Sequence, residues 1–72
     1  MKLRLSLKQE RGALQRVLVT AGRRGFETVA ITARSSGARM EVELEVRGAR
    51  DAGMLARTLE RLVDVERVEV LS

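Results

Sequence analysis

Two stretches of the chain alternate apolar and polar residues, which is the pattern of a strand with one buried face. The apolar positions are Leu3, Leu5 and Leu7 in the first stretch, and Met40, Val42, Leu44 and Val46 in the second. The residues between the second set are glutamates, so that strand has one charged face. The pattern therefore predicts a first strand over 2–8 and a third over 40–47.

Two other stretches repeat apolar residues at helical spacing. The apolar stripes are Leu14, Val17, Leu18 and Ala21 in the first helix, and Met54, Leu55, Leu59 and Leu62 in the second. The first helix is predicted over 12–23, with Gly25 placed to end it, because glycine commonly follows the last helical turn. Asp51 is predicted to cap the second helix, since its carboxylate can accept from the free N–H groups of the first turn.

A second strand is predicted to begin at Phe26 and to end in a hairpin turn at 35–37. One face carries Val29, Ile31 and Ala33, and the other carries Thr28, Ala30 and Thr32. Val68 and Val70 predict a last strand. The order strand, helix, strand, strand, helix, strand predicts a single α+β domain over 1–72 with a ferredoxin-like βαββαβ fold. Its antiparallel sheet has the order 4-1-3-2, with both helices on one face.

Charge placement supports this strand order independently. The outward positions of strand one are mostly basic (Lys2, Arg4 and Lys8), and those of strand three are acidic (Glu41, Glu43 and Glu45). If the two strands are neighbours, these opposite charges lie across from each other. Each such pair stabilises a sheet by about 0.2–1 kcal/mol relative to a pair of alanines. Strand two is then an edge of the sheet.

The outward residues of the predicted edge strand, Thr28, Ala30 and Thr32, are small and uncharged, and they include none of the lysines or prolines that usually block pairing with another chain. We therefore expect a homodimer through strand two, with Phe26, Thr28, Ala30 and Thr32 at the interface. Such a dimer would bring 27–31 of one chain near the bend at 9–13 of the other. A domain of 72 residues has a thin core, so self-association is also expected from size.

Composition excludes several classes of function. The chain has no cysteine, histidine, tryptophan, tyrosine or proline, which excludes disulfides, thiol chemistry and the Cys-x-x-Cys site of a metallochaperone. No nucleophile and base pair is evident, so we expect no enzyme activity. The net charge of +4 comes from interleaved basic and acidic residues, and no aromatic platform is present, which argues against nucleic acid. We see no signal peptide or membrane span and expect a cytoplasmic protein.

The bend between strand one and helix one is the candidate binding site. Gly12 has no Cβ to block a close approach, and the first-turn N–H groups of a helix favour an anion. A small carboxylate is therefore one possible ligand. The alternative is that Gly12 only relieves a tight turn.

Three blocks of sequence resemble a known family. They are the runs at 12–17 (GALQRV), 24–26 (RGF) and 62–68 (LVDVERV), in this order and at matching distances. The chain resembles the ACT domain of the small regulatory subunit of acetolactate synthase, in a short form similar to that of isozyme II.

This resemblance implies a regulatory protein that binds and activates a separate catalytic subunit in branched-chain amino acid synthesis. Thiamine diphosphate, magnesium and FAD would lie on that subunit, and this chain would hold no cofactor. The positions that match the effector site are Gln9, Arg11, Gly12, Ala13, Leu14, Glu27, Thr28 and Val29. Gln9 and Glu27 stand where valine-sensitive relatives have asparagines, so we expect weak or absent feedback by valine. The alternative is a free-standing ACT sensor of a small amino acid that regulates a different partner.

Overall fold

The alternating leucines form the first strand, β1 (Lys2–Lys8), in which Leu3, Leu5 and Leu7 are buried. The other elements are α1 (Ala13–Arg23), β2 (Glu27–Ser36), β3 (Arg39–Arg47), α2 (Ala52–Glu60) and β4 (Val65–Val70). They are taken from a computed structural model, which describes residues 1–48 and 50–71. Ser72, the predicted end of the domain, lies outside the described residues.

The four strands form one sheet in the order β2-β3-β1-β4, and every neighbouring pair is antiparallel. This is the predicted order 4-1-3-2 viewed from the other edge. The buried residues of the helices join those of β1 and β3 in one apolar core. The α+β, ferredoxin-like prediction is confirmed. No helix among the described residues is long and apolar enough to cross a membrane.

The register of β1 against β3 places opposite charges together on the outward face of the sheet. Arg4 lies opposite Glu43, and its guanidinium Nη2 is 3.2 Å from the carboxylate Oε2. Ser6 Oγ donates to Glu41 Oε2 at 2.9 Å. Lys8 departs from the prediction, because it lies opposite Arg39 and not opposite a glutamate. Exposed pairs of this kind contribute little each, but together they favour this register.

The helices confirm most of the predicted core, with one correction. Leu55 and Leu59 of α2 are buried, and Asp51 caps the helix by accepting from the Gly53 N–H at 3.0 Å. Met54 was predicted on the same apolar stripe, yet its side chain is 47% exposed. Met54 directly precedes Leu55, so it points about 100° away from that stripe around the helix.

Strand β2 is an edge, as predicted, but its faces differ from the prediction. Thr28 lies opposite Val46, whereas Ala30 lies opposite Glu45, so Val29 occupies a β-bulge. Because a bulge adds one residue, it reverses the alternation. Thr28 therefore lies on the same side of the sheet as buried Val46, and it does not share the outward face of Ala30.

All ten residues of β2 are exposed, including the apolar ones. Ile31 is 40% exposed although it lies opposite buried Leu44 on the helix side of the sheet. The two helices thus leave the helix side of this strand open.

Phe26 was predicted at the start of β2 and in a dimer interface. The strand begins at Glu27, and the Phe26 ring is buried in the chain's own core with 5% exposure. Gly48 accommodates the ring, because a Cβ there would come within 2.8 Å of the ring carbon Cδ2. The Phe26 side chain therefore has almost no surface left for a partner.

Candidate functional site

The bend after β1 is formed by a glycine in the left-handed region. Gly12 has φ +78° and precedes α1, which begins at Ala13 and not at the predicted Gly12. A left-handed conformation costs other residues about 1–2 kcal/mol, so the turn itself favours glycine. No side chain caps this helix, and its first turn carries no acidic residue. The open N–H end remains compatible with an anion.

A side chain of the same helix covers this corner from one side. The Arg16 guanidinium lies near Gly12, where a Cβ would be 3.2 Å from Arg16 Nη1. Arg16 Nη2 donates to the Arg11 carbonyl at 3.3 Å and to the Asp64 carboxylate. Asp64 is only 8% exposed, and its carbonyl accepts from the Lys8 N–H at 2.8 Å. The glycine corner is thus tied to the turn before β4.

Replacing Arg16 with methionine is expected to lower the free energy of unfolding by about 2 kcal/mol, because a nearly buried carboxylate at Asp64 would lose its charged partner. Urea denaturation at one protein concentration measures the change. Arg23→Met is the matched control, since Arg23 is exposed in the last turn of the same helix and forms no ion pair with a described residue. Equal stability of the two variants would contradict the role given to Arg16.

The bend contributes mainly backbone to the predicted effector site. The Ala13 side chain is buried in the core, and Leu14 is half-buried. Arg11 is exposed, and its carbonyl is engaged by Arg16. Gln9 Nε2 donates to Ser35 Oγ at 3.0 Å, so this amide is held by β2 of its own chain. The bend therefore offers N–H groups of the first helical turn and one amide that already has a partner.

The other half of the predicted site lies elsewhere in the same chain. Glu27, Thr28 and Val29 begin β2, whereas Gln9 contacts Ser35 near the end of that strand. A strand rises about 3.3 Å per residue, so roughly 25 Å separates the two halves. Glu27 Oε1 also pairs with Arg47 Nη2 at 3.0 Å on the exposed surface. A single chain does not bring the two halves together.

The sequence reasoning gave no role to Arg16 or Asp64. One signal was present, because Asp64 stands between Val63 and Val65 just before a strand, where an unpaired carboxylate would be unfavourable. Its partner is 48 residues away along the chain, so only the fold identifies it.

No group of three or more histidine, cysteine, aspartate or glutamate side chains that could hold a metal ion occurs within residues 1–48 and 50–71. The contacts described at the glycine corner are hydrogen bonds and charge pairs. Both are means of binding a ligand or a partner.

Solved structures with the same fold come from proteins of different function. The ACT domain of the GTP pyrophosphokinase of Chlorobium tepidum is similar with a TM-score of 0.79 and 13% identity, over 94% of this chain and 91% of that one. The acetolactate synthase small subunit of Thermotoga maritima is similar with a TM-score of 0.81 and 20% identity, over 94% of this chain. This chain spans 44% of that subunit.

The C-terminal domain of the MgtC protein of Mycobacterium tuberculosis is also similar, with a TM-score of 0.71 and 8% identity, over 94% of this chain and 80% of that one. No curated protein gives a significant sequence match. At these identities the structural likeness shows the fold alone.

Sequence comparison identifies the family more directly. The sequence profile of the ACT domain matches residues 9–68, a range that runs from the bend before α1 into β4. That range contains the glycine corner, the exposed edge strand and both helices. The βαββαβ sheet and this profile match agree, and the chain belongs to the ACT domain family.

Proposed function

We propose that this chain is a regulatory small subunit that binds and activates the separate catalytic subunit of an acetolactate synthase. The observation that carries the proposal is the likeness in fold to the small subunit of Thermotoga maritima, over 94% of the chain. The resemblance of the three sequence blocks at 12–17, 24–26 and 62–68 to the family of such subunits supports it. Thiamine diphosphate, magnesium and FAD belong to the catalytic subunit in this proposal. The short isozyme II-like form is part of the same proposal.

The proposal includes a homodimer through β2. The strand is exposed along its whole length, and Ile31 and Val29 leave apolar surface uncovered. In an antiparallel pairing of two β2 strands, the Glu27 end of one lies beside the Ser36 end of the other. Gln9 is anchored next to that second end through Ser35. The dimer therefore reunites the two halves of the effector site that one chain keeps apart.

We further propose that valine has little effect on this subunit. Gln9 already donates to Ser35, and Glu27 already pairs with Arg47. A free amino acid would compete with both contacts, and the Glu27 carboxylate would repel the carboxylate of the ligand. The Ala13 N–H already donates to the Glu10 carbonyl at 3.1 Å, which leaves only the Leu14 and Gln15 N–H groups of this turn for an anion. Any effector is therefore expected to bind weakly.

Reconstitution tests the proposal. Acetolactate formation by the catalytic subunit of the same organism, supplied with its cofactors, is expected to rise severalfold when this chain is added. Valine is expected to change that rate by less than about twofold, because weak binding supplies little differential energy to shift an equilibrium. A catalytic rate that does not respond to this chain would overturn the subunit assignment.

A second candidate is a free-standing ACT sensor for a different partner. The likeness in fold to the ACT domain of the GTP pyrophosphokinase of Chlorobium tepidum supports it, since that domain belongs to a protein other than an acetolactate synthase. In the reconstitution experiment this candidate gives no activation and no complex with the catalytic subunit.

A further inference from the structure

The net charge of this chain is unevenly divided between its two layers. The helices and their connecting turns, within 9–26 and 48–64, carry seven arginines and four acidic residues, whereas the strands are nearly balanced. Two of the four acids are already engaged, because Asp64 pairs with Arg16 and Asp51 caps α2. The helix layer therefore presents most of the net positive charge.

Two of these arginines lie beside Met54 at a cleft, and two more share its side of α2. We call this set the arginine face: Arg24, Arg50, Arg57 and Arg61, with Met54. Arg24 and Arg50 line a small cleft of about 50 Å³ between the end of α1 and α2, and Met54 lines it too. Met54, Arg57 and Arg61 follow each other at intervals of three and four residues, which places them on one side of α2.

The arginine face has no carboxylate partner within the described residues. None of its four guanidinium groups forms an ion pair there, whereas Arg4, Arg16, Arg39 and Arg47 each do. Met54 is 47% exposed in the same place. Arginine and methionine are enriched in the centres of protein interfaces, where lysine is depleted, and both lysines of this chain lie on β1.

We infer that the arginine face docks on an acidic surface of a partner protein that inserts an apolar side chain beside Met54, and that this partner is the catalytic subunit. The second part rests on the proposed function. A second copy of this chain is a poor occupant, because two arginine faces repel each other. Nucleic acid is also a poor occupant, because the only aromatic residue, Phe26, is buried and offers no stacking surface.

Charge reversal on α2 tests the inference. The variant Arg57→Glu/Arg61→Glu is compared with Lys8→Glu/Arg67→Glu, which makes the same change of charge at two exposed basic residues of β1 and β4, away from the proposed dimer strand. Binding of each to the catalytic subunit is measured by titration, and folding is checked by circular dichroism. The first variant is expected to weaken binding about 30-fold or more, as loss of central interface residues does. The control is expected to bind within about threefold of the unaltered chain.

A milder variant, Arg57→Gln/Arg61→Gln, keeps the test valid if charge reversal unfolds α2. It is expected to bind about tenfold more weakly and to depend less on salt, since fewer charges contribute. Binding of either α2 variant within twofold of the unaltered chain, or equal loss of binding in the β1 and β4 control, would overturn the inference. Loss of binding to a DNA duplex, with subunit binding unchanged, would point to nucleic acid instead. An unaltered chain that fails to bind the catalytic subunit overturns the proposed function, and the docking assignment with it.

Discussion

The double variant Ile31→Lys/Ala33→Lys is expected to be a monomer at concentrations where the unaltered chain is a dimer. Both residues lie on β2, opposite the buried Leu44 and Val42, on the side of the sheet that the chain's own helices leave open. Charged residues on an edge strand block pairing with another strand. The dimer would bring four added charges together, and we expect its dissociation constant to rise at least about 100-fold, or about 2.7 kcal/mol.

Sedimentation equilibrium over a range of concentrations measures this change. The matched control is Val63→Lys/Val70→Lys, because both valines are exposed and lie away from β2, in the turn before β4 and on β4 itself. This control is expected to remain a dimer. Dissociation of the control, with the β2 variant still dimeric, would place the interface on the opposite edge of the sheet.

Leu5→Ala is expected to cost about 3 kcal/mol of unfolding free energy, the largest effect that a single substitution should have in this chain. Leu5 is 1% exposed on the central strand, between Val42 of β3 and Val68 of β4. Truncation leaves a cavity that neighbouring strands cannot fill without moving. The total free energy of unfolding of a 72-residue domain is only about 4–10 kcal/mol, so this substitution removes a large part of it.

Urea denaturation followed by circular dichroism tests this prediction, at one protein concentration because the proposed dimerisation would add to the apparent stability. Val63→Ala is the control, since Val63 is 78% exposed and its truncation removes no core contact. Its midpoint should stay close to that of the unaltered chain. If the urea midpoint of Leu5→Ala were also close to that of the unaltered chain, the sheet would have repacked to fill the space of the lost side chain. That result would contradict the close packing around Leu5.

The order of strands and helices predicted the order of the sheet, and the opposite charges on the outward faces of β1 and β3 supported it independently. Reasoning from alternation misplaced Thr28, since the bulge at Val29 is an added residue that alternation alone cannot reveal. Met54 was placed on the buried side of the helix because it is apolar and adjacent to Leu55. Successive residues of a helix point about 100° apart, however, and Met54 is exposed. The burial of the Phe26 ring was not predicted, because it depends on close packing against Gly48, which is more than 20 positions later in the chain.

The candidate site was predictable only where its geometry is local. A glycine between an alternating strand and a helix predicted the corner at Gly12, and φ of +78° agrees with that prediction. The ion pair of Arg16 with Asp64 joins residues that no short-range pattern connects. Gln9 and Glu27 are about 25 Å apart because Gln9 contacts Ser35, near the far end of β2. This contact depends on how the strands are aligned, which sequence periodicity does not determine.

The pairing of β1 with β4 has a consequence for synthesis on the ribosome. Leu3 lies opposite Val70, and the Leu71 N–H donates to the Lys2 carbonyl at 2.8 Å. The first strand of the described chain is therefore paired with the last, which forms one edge of the sheet. Strand β1 is made first, yet one of its edges stays open until β4 emerges from the exit tunnel. A nascent chain must therefore hold its first strand half-paired until almost all of the domain has been translated.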